Sequence, residues 1–119
     1  MPLLTRILGG ATTAYSLAII AAPRLLAKPC GLTTATGEVS PGVRPLIGGI
    51  GARDVVIGVA MMAAPPGRPL RLAVAGRVAA DLSDALIFGL SLPDRAARRK
   101  VAAFATGWAA LCAVSALAR

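Results

Sequence analysis

Residues 45–64 read PLIGGIGARDVVIGVAMMAA, residues 65–69 read PPGRP, and residues 70–92 read LRLAVAGRVAADLSDALIFGLSL. Two apolar runs separated by a proline-glycine turn are each near the roughly 20 residues a helix needs to cross about 30 Å of hydrocarbon. Their interiors nevertheless hold five ionisable residues: Arg53 and Asp54 in the first run, and Arg77, Asp81 and Asp84 in the second. At the centre of a membrane helix each such group costs roughly 2.5 to 3.5 kcal/mol on insertion scales, so they must face protein, water or one another. The spacing agrees. At about 100° per residue Arg77, Asp81 and Asp84 fall within an arc of roughly 60°, and Phe88 continues the stripe. Asp54 shares a face with Gly51 and Gly58, small residues that let another helix approach. Arg53 projects about 100° away, so the two neighbours are not expected to address one spot equally.

This pattern predicts a polar seam between the two helices, with Arg77 bonded to Asp81 or Asp84 and Asp54 reaching across. Two arginines then face three aspartates. One carboxylate must be protonated, paired with an incoming cation, or open to water. A carboxyl group that holds its proton in an apolar pocket is how acid catalysts and proton carriers are made. The plainer function of such a seam is to fix helix register and neighbour choice.

Outward from this stretch, two more apolar runs complete the pattern. The first span is expected from Leu4 to Ala22, ended by Pro23 and Arg24, and the last from Val101 to Ala118, with Pro45–Ala64 and Leu70–Leu92 between them. Proline or charge marks nearly every boundary. The expected fold is all-α: one domain over 1–119, a four-transmembrane-helix up-down-up-down bundle. The first run follows Arg6 as a signal peptide would, but no clear A-x-A site precedes Pro23, so it is expected to be kept as a span. The turns at Pro65–Pro69 and Pro93–Lys100 force antiparallel neighbours. The connection from 28 to 44 is long, polar and turn-rich, either a connector or a lid over one end.

Composition points the same way. The 119 residues are 56% hydrophobic and 15% charged, with mean hydropathy +0.74, against roughly 45–50% apolar and about 25% charged in soluble domains. Thirteen Lys and Arg against five Asp and Glu give a net charge of +8. Eight of the thirteen cations sit between apolar runs rather than on a solvated helix face with stacking aromatics, which excludes a nucleic-acid reader and favours membrane lipid as a partner. Arg24, Lys28, Arg44, Arg95, Arg98, Arg99 and Lys100 fall on one side, seven cations against four (Arg6, Arg68, Arg71, Arg119) on the other. The positive-inside rule then puts the long loop in the cytoplasm and both termini outside, in the cell (inner) membrane.

Few other groups carry chemistry. There is no His, Asn or Gln. Cys30 and Cys112 lie 82 positions apart, so neither a zinc site nor a CxxC pair can form. No metal or cofactor is expected. Cys112 reads as a packing residue, and Cys30, between Pro29 and Gly31, as a candidate reactive or lipidated thiol. There is no P-loop, G-x-S-x-G, H-E-x-x-H or dinucleotide fingerprint. Gly48-Gly49-Ile50-Gly51 has no following Lys, and its glycines suit close helix packing. The first span carries Gly9, Thr12, Tyr15 and Ser16 on one face, with Tyr15 a donor for a carboxylate. In the last span Thr106, Gly107 and Trp108 lie near the middle. Trp108 is away from the interfacial belt, so it packs inward or walls a pocket.

Gly51-Ala52-Arg53-Asp54 with Gly58, preceded by Leu25-Leu26 and Cys30-Gly31-Leu32 and followed by Arg77, Asp81 and Asp84, resembles small bacterial four-span membrane proteins of unknown function. In these a G-x-R-[DE] opening on the second span, a later glycine and an aspartate on the third recur, and they are loosely similar to the DoxX-like group. The resemblance implies a compact four-helix membrane fold and supplies no reaction.

Three functional readings follow. The first is an accessory or structural membrane component, oligomeric through its Gly and Ala faces. The second is a membrane-embedded enzyme using Asp54, Asp81 or Asp84 as general acid or base, with Arg53, Arg77, Tyr15 and Trp108 binding a lipophilic, isoprenoid-like molecule for isomerisation, epoxide opening or cyclisation. The third is a proton-coupled carrier, which at this size needs several copies. A cavity lined by the aspartates separates the second from the first, whereas tight packing with every carboxylate on an arginine favours the first.

Overall fold

The structure, a computed structural model, describes residues 3–117. Among these the chain is all-helical: α1 (Leu3–Ala21), α2 (Arg24–Ala27), α3 (Val43–Ala63), α4 (Arg68–Ser91) and α5 (Arg95–Leu117). Prolines terminate the helices by restricting the residue before them. Ala64 precedes Pro65 and Leu92 precedes Pro93, and both adopt extended backbone, with ψ of 141° and 140°. Gly67 then reverses the chain with φ of 97°, a conformation only glycine adopts at no cost, and Pro69 sits in the first turn of α4.

The helices begin and end close to the apolar runs, with one large departure. α5 starts at Arg95, six residues before Val101. Arg95–Lys100 is polar but made of strong helix formers, and Asp94 caps it by accepting the Ala96 N–H at 3.3 Å. Hydropathy marked the edge of the apolar run and not the edge of the helix. The single turn α2 was likewise hidden inside a stretch read as boundary.

α1 lies along α3 and α4 lies along α5. The two pairs meet mainly through α3 and α4, while α1 and α5 touch only sparsely. The α1–α3 contact is backbone-close. A Cβ on Gly58 would sit 2.8 Å from the Gly9 carbonyl oxygen and 2.9 Å from the Thr13 nitrogen, so both glycines are required by approach and not by turn geometry.

The apolar core is divided. Leu8, Met61, Val74 and Cys112, one from each long helix, close one end. At the other end Ile19, Ala27, Val39 and Ile47 form a second cluster, and Cys30, Leu92 and Ala97 a third. Val39 belongs to the 28–44 connection. An antiparallel bridge between Thr33 and Val39, a 2.7 Å bond from the Thr34 N–H to the Glu38 carbonyl, and Gly37 at φ of 81° fold this connection back so that Val39 is buried. The loop therefore caps one end of the helices. Cys30, read from sequence as a candidate reactive thiol, is buried under the same cap.

Large apolar side chains stand exposed along every long helix, among them Leu17, Val56, Leu86 and Phe104. So much apolar surface marks a membrane or interaction face. α1, α3 and α5 are long and apolar enough to cross a membrane. α4 is long enough but carries Arg77, Asp81 and Asp84 in its middle.

Candidate functional site

Between the apolar ends lies a layer of charge. The 3.6-residue period turns Arg77 and Asp81 inward together, at 2% and 5% exposure. Arg77 Nη2 donates to Asp81 Oδ1 at 2.5 Å within α4 and lies 3.1 Å from Asp54 Oδ1 on α3. Arg53 Nε donates to the same Asp54 Oδ1 at 2.9 Å, while its Nη1 and Nη2 grip Asp84 Oδ1 and Oδ2 at 3.2 and 2.7 Å. The order is Asp81, Arg77, Asp54, Arg53, Asp84, alternating in sign, with carboxylates at both ends and a formal charge of −1.

Of the two partners expected for Arg77, it takes Asp81, because one helical turn separates that pair and about 10 Å of rise separates Arg77 from Asp84. One expectation needs correction. Arg53 does share the position of Asp54. Its flexible stem carries the guanidinium around the offset that the backbone imposes, and the planar fork then spans both Asp54 and Asp84. Each of the three carboxylates has an arginine partner. Only Asp81 Oδ2 and Arg77 Nε remain, among the described residues, as buried side-chain atoms without a hydrogen-bond partner.

The network floors a cavity of about 520 Å³ that opens where α1 and α5 draw apart. Its wall is overwhelmingly apolar. Of the residues singled out in the sequence, Asp54, Arg77, Asp81, Asp84, Tyr15 and Trp108 all line it, whereas Arg53 lies behind Asp84 and is not part of the wall. Tyr15 stands exposed on the wall, and the carboxylates it was expected to serve are taken by arginines. Trp108 Nε1 donates to Thr12 Oγ1 at 3.2 Å, joining α5 to α1, and its ring stacks on Phe104 at 6.2 Å between centroids. Ser16 bonds back to the Thr12 carbonyl at 2.6 Å, as hydroxyls in apolar helices commonly do.

Sequence reasoning missed Lys100 and Phe104, both on the cavity wall. The signal was present: Lys100, Phe104 and Trp108 are four residues apart and share one helix face. It was hidden because Lys100 was assigned to a turn. The site offers an apolar pocket of the size that binds drug-sized molecules, an ion-paired floor and one cation on the wall. No family model, curated protein or solved structure matches the chain.

Proposed function

We propose that the chain is a small multi-pass protein of the inner membrane, a four-span up-down-up-down bundle with both termini outside, that acts as an accessory component holding a lipophilic small molecule in its cavity. The cavity carries this reading: about 520 Å³ of apolar-walled space kept open beside a fully ion-paired floor. A helix bundle with no ligand to hold gains by closing such a space, since each lost contact weakens packing.

The fourth span is supported by α4, whose 24 residues rise about 36 Å. Its mid-helix charges Arg77, Asp81 and Asp84 face the bundle while Leu72, Leu82, Leu86, Ile87 and Leu90 are exposed. Membrane lipid is the partner for that outer surface. A homo-oligomer is supported by Gly76 and Gly107, which have open space where a side chain would stand.

Extraction of the purified protein tests the reading. A hydrophobic molecule should copurify in stoichiometric amount with the wild-type chain and disappear from Ala105→Phe and Ala11→Phe, which fill the cavity, at equal folded yield. Identical extracts from all three would end the proposal.

An acid/base enzyme is favoured by a single observation, the unpartnered Asp81 Oδ2 and Arg77 Nε beside the cavity. Proton transfer to or from an isoprenoid-like molecule needs one positioned carboxyl in apolar surroundings. On this reading Asp81→Asn alters the lipid extract of expressing cells while leaving the copurifying molecule bound. An unchanged extract at normal expression would leave binding alone.

A further inference from the structure

We infer that the occupant of the cavity is a single-chain amphiphile with an anionic headgroup, its head at Lys100 and its chain running inward along Phe104 and Trp108. The inference rests on the binding function proposed above and adds the chemistry and direction of the ligand.

Helix register supplies the direction. α1 and α5 are antiparallel, so Ile19 lies level with Val101 and Thr12 level with Trp108, to which it is bonded. The lining residues sort accordingly. Leu25, Pro29, Phe88 and Lys100 mark the end beneath α2 and the capping loop, and Thr12 and Trp108 mark the inner end. From Lys100 to Trp108 the helix rises about 12 Å, the length over which a chain lies against one face.

Electrostatics supplies the headgroup. The charged lining residues are Asp54, Arg77, Asp81, Asp84 and Lys100. The first four belong to the paired network, whose formal charge of −1 repels an anion from the inner end. Lys100 is exposed, and among the described residues no carboxylate lies within ion-pair distance of it. Arg24, Lys28 and Arg99 each adjoin a lining residue in the chain and are exposed at the same end. With Arg24, Lys28, Arg99 and Lys100 against Asp94 and Glu38, that end of the cavity is net positive, and the interior is apolar above a negative floor. An anionic head is held at that end and a cationic one is turned away from it. A volume of about 520 Å³ suits one chain, whereas a two-chain phospholipid exceeds a site of drug-molecule size.

Trp108 is the one tryptophan in the chain and stands in the cavity wall, so its fluorescence reads occupancy directly. The full-length protein in neutral detergent is titrated with bromine-labelled stearic acid, its methyl ester, and a brominated alkyl trimethylammonium. Saturable quenching by the acid, with an affinity about two- to fivefold above that of the ester, is expected from one solvent-facing ion pair. Lys100→Gln should collapse that ratio to near one. Displacement by unlabelled dodecyl phosphate, but not dodecanol, extends the site to anionic heads in general, while displacement by neither restricts it to carboxylates. Equal quenching by acid and ester, a ratio unmoved by Lys100→Gln, or preference for the ammonium compound overturns the headgroup and leaves the binding function standing. Quenching that persists in Ala11→Phe and Ala105→Phe, or no saturable quenching by any probe, overturns both.

Discussion

Arg77 holds two carboxylates with one guanidinium, and at 2% exposure it has no water to replace them. Removing one partner of a buried ion pair costs about 3 to 5 kcal/mol because the other charge stays behind. Arg77→Met should destabilise by that amount, read from denaturant unfolding in detergent. Arg53→Met, at a site with a 37% exposed side chain, should cost about 1 kcal/mol, since water screens what is left. An equal loss for both would mean the network is uniformly wet. Cys30 offers a second test outside the helices. Burial pushes its thiol up, and the negative charge of Asp84 adds to the shift. Less thiolate forms at pH 8, so iodoacetamide should modify the folded protein more slowly than an exposed cysteine. The rate should climb only at higher pH. The stability linked to this group is complete below the ordinary thiol range and is lost as pH rises through the raised value. Alkylation at the rate of a free thiol would show that the capping loop opens.

Among the elements, the α1–α3 pair leaves the least room. Gly58→Ala places a Cβ against the Gly9 carbonyl and the Thr13 backbone nitrogen, neither of which can step aside. It should cost about 1 to 3 kcal/mol, the usual price of overpacking. Gly48→Ala in the same helix meets nothing within 4 Å, and should be neutral or stabilising by up to about 1 kcal/mol. Thermal unfolding of the two variants side by side checks the contrast. Equal loss of stability in both would show that Gly48 is packed as closely as Gly58, and no loss in either that the α1–α3 contact yields to a methyl group. Gly58 was legible in the sequence as a small residue on the Asp54 face. That its partner is Gly9 of α1, and not a residue of the adjacent run, was not, since small residues carry no mark of what they pack against.

At the scale of the molecule, unequal pairing of helices creates the cavity. α3 is shared: one face receives α1 at backbone distance and another presents Asp54 to α4. α1 and α5 are left apart on the remaining side, bridged by the Trp108–Thr12 bond. The proposed topology has a direct test. Alkaline phosphatase fused to the C-terminus should be active and a fused green fluorescent protein dark, as both termini outside requires. The reverse result would place the seven-cation side outside and contradict the positive-inside reading.

By itself the sequence determined what local periodicity and side-chain chemistry govern. The apolar runs and their proline boundaries set where the long helices lie. The four- and three-residue spacing of Arg77, Asp81 and Asp84 set that these groups share an inward face. Helical geometry repeats every 3.6 residues, so such relations survive without knowledge of the rest of the chain. Only the tertiary structure decided which arginine takes which aspartate, that Val39 and Cys30 are drawn under a capping loop, and that Lys100 borders a cavity. Those outcomes depend on the distance and rotation between helices. A cavity in particular is space that no residue occupies, so no single stretch of chain encodes it.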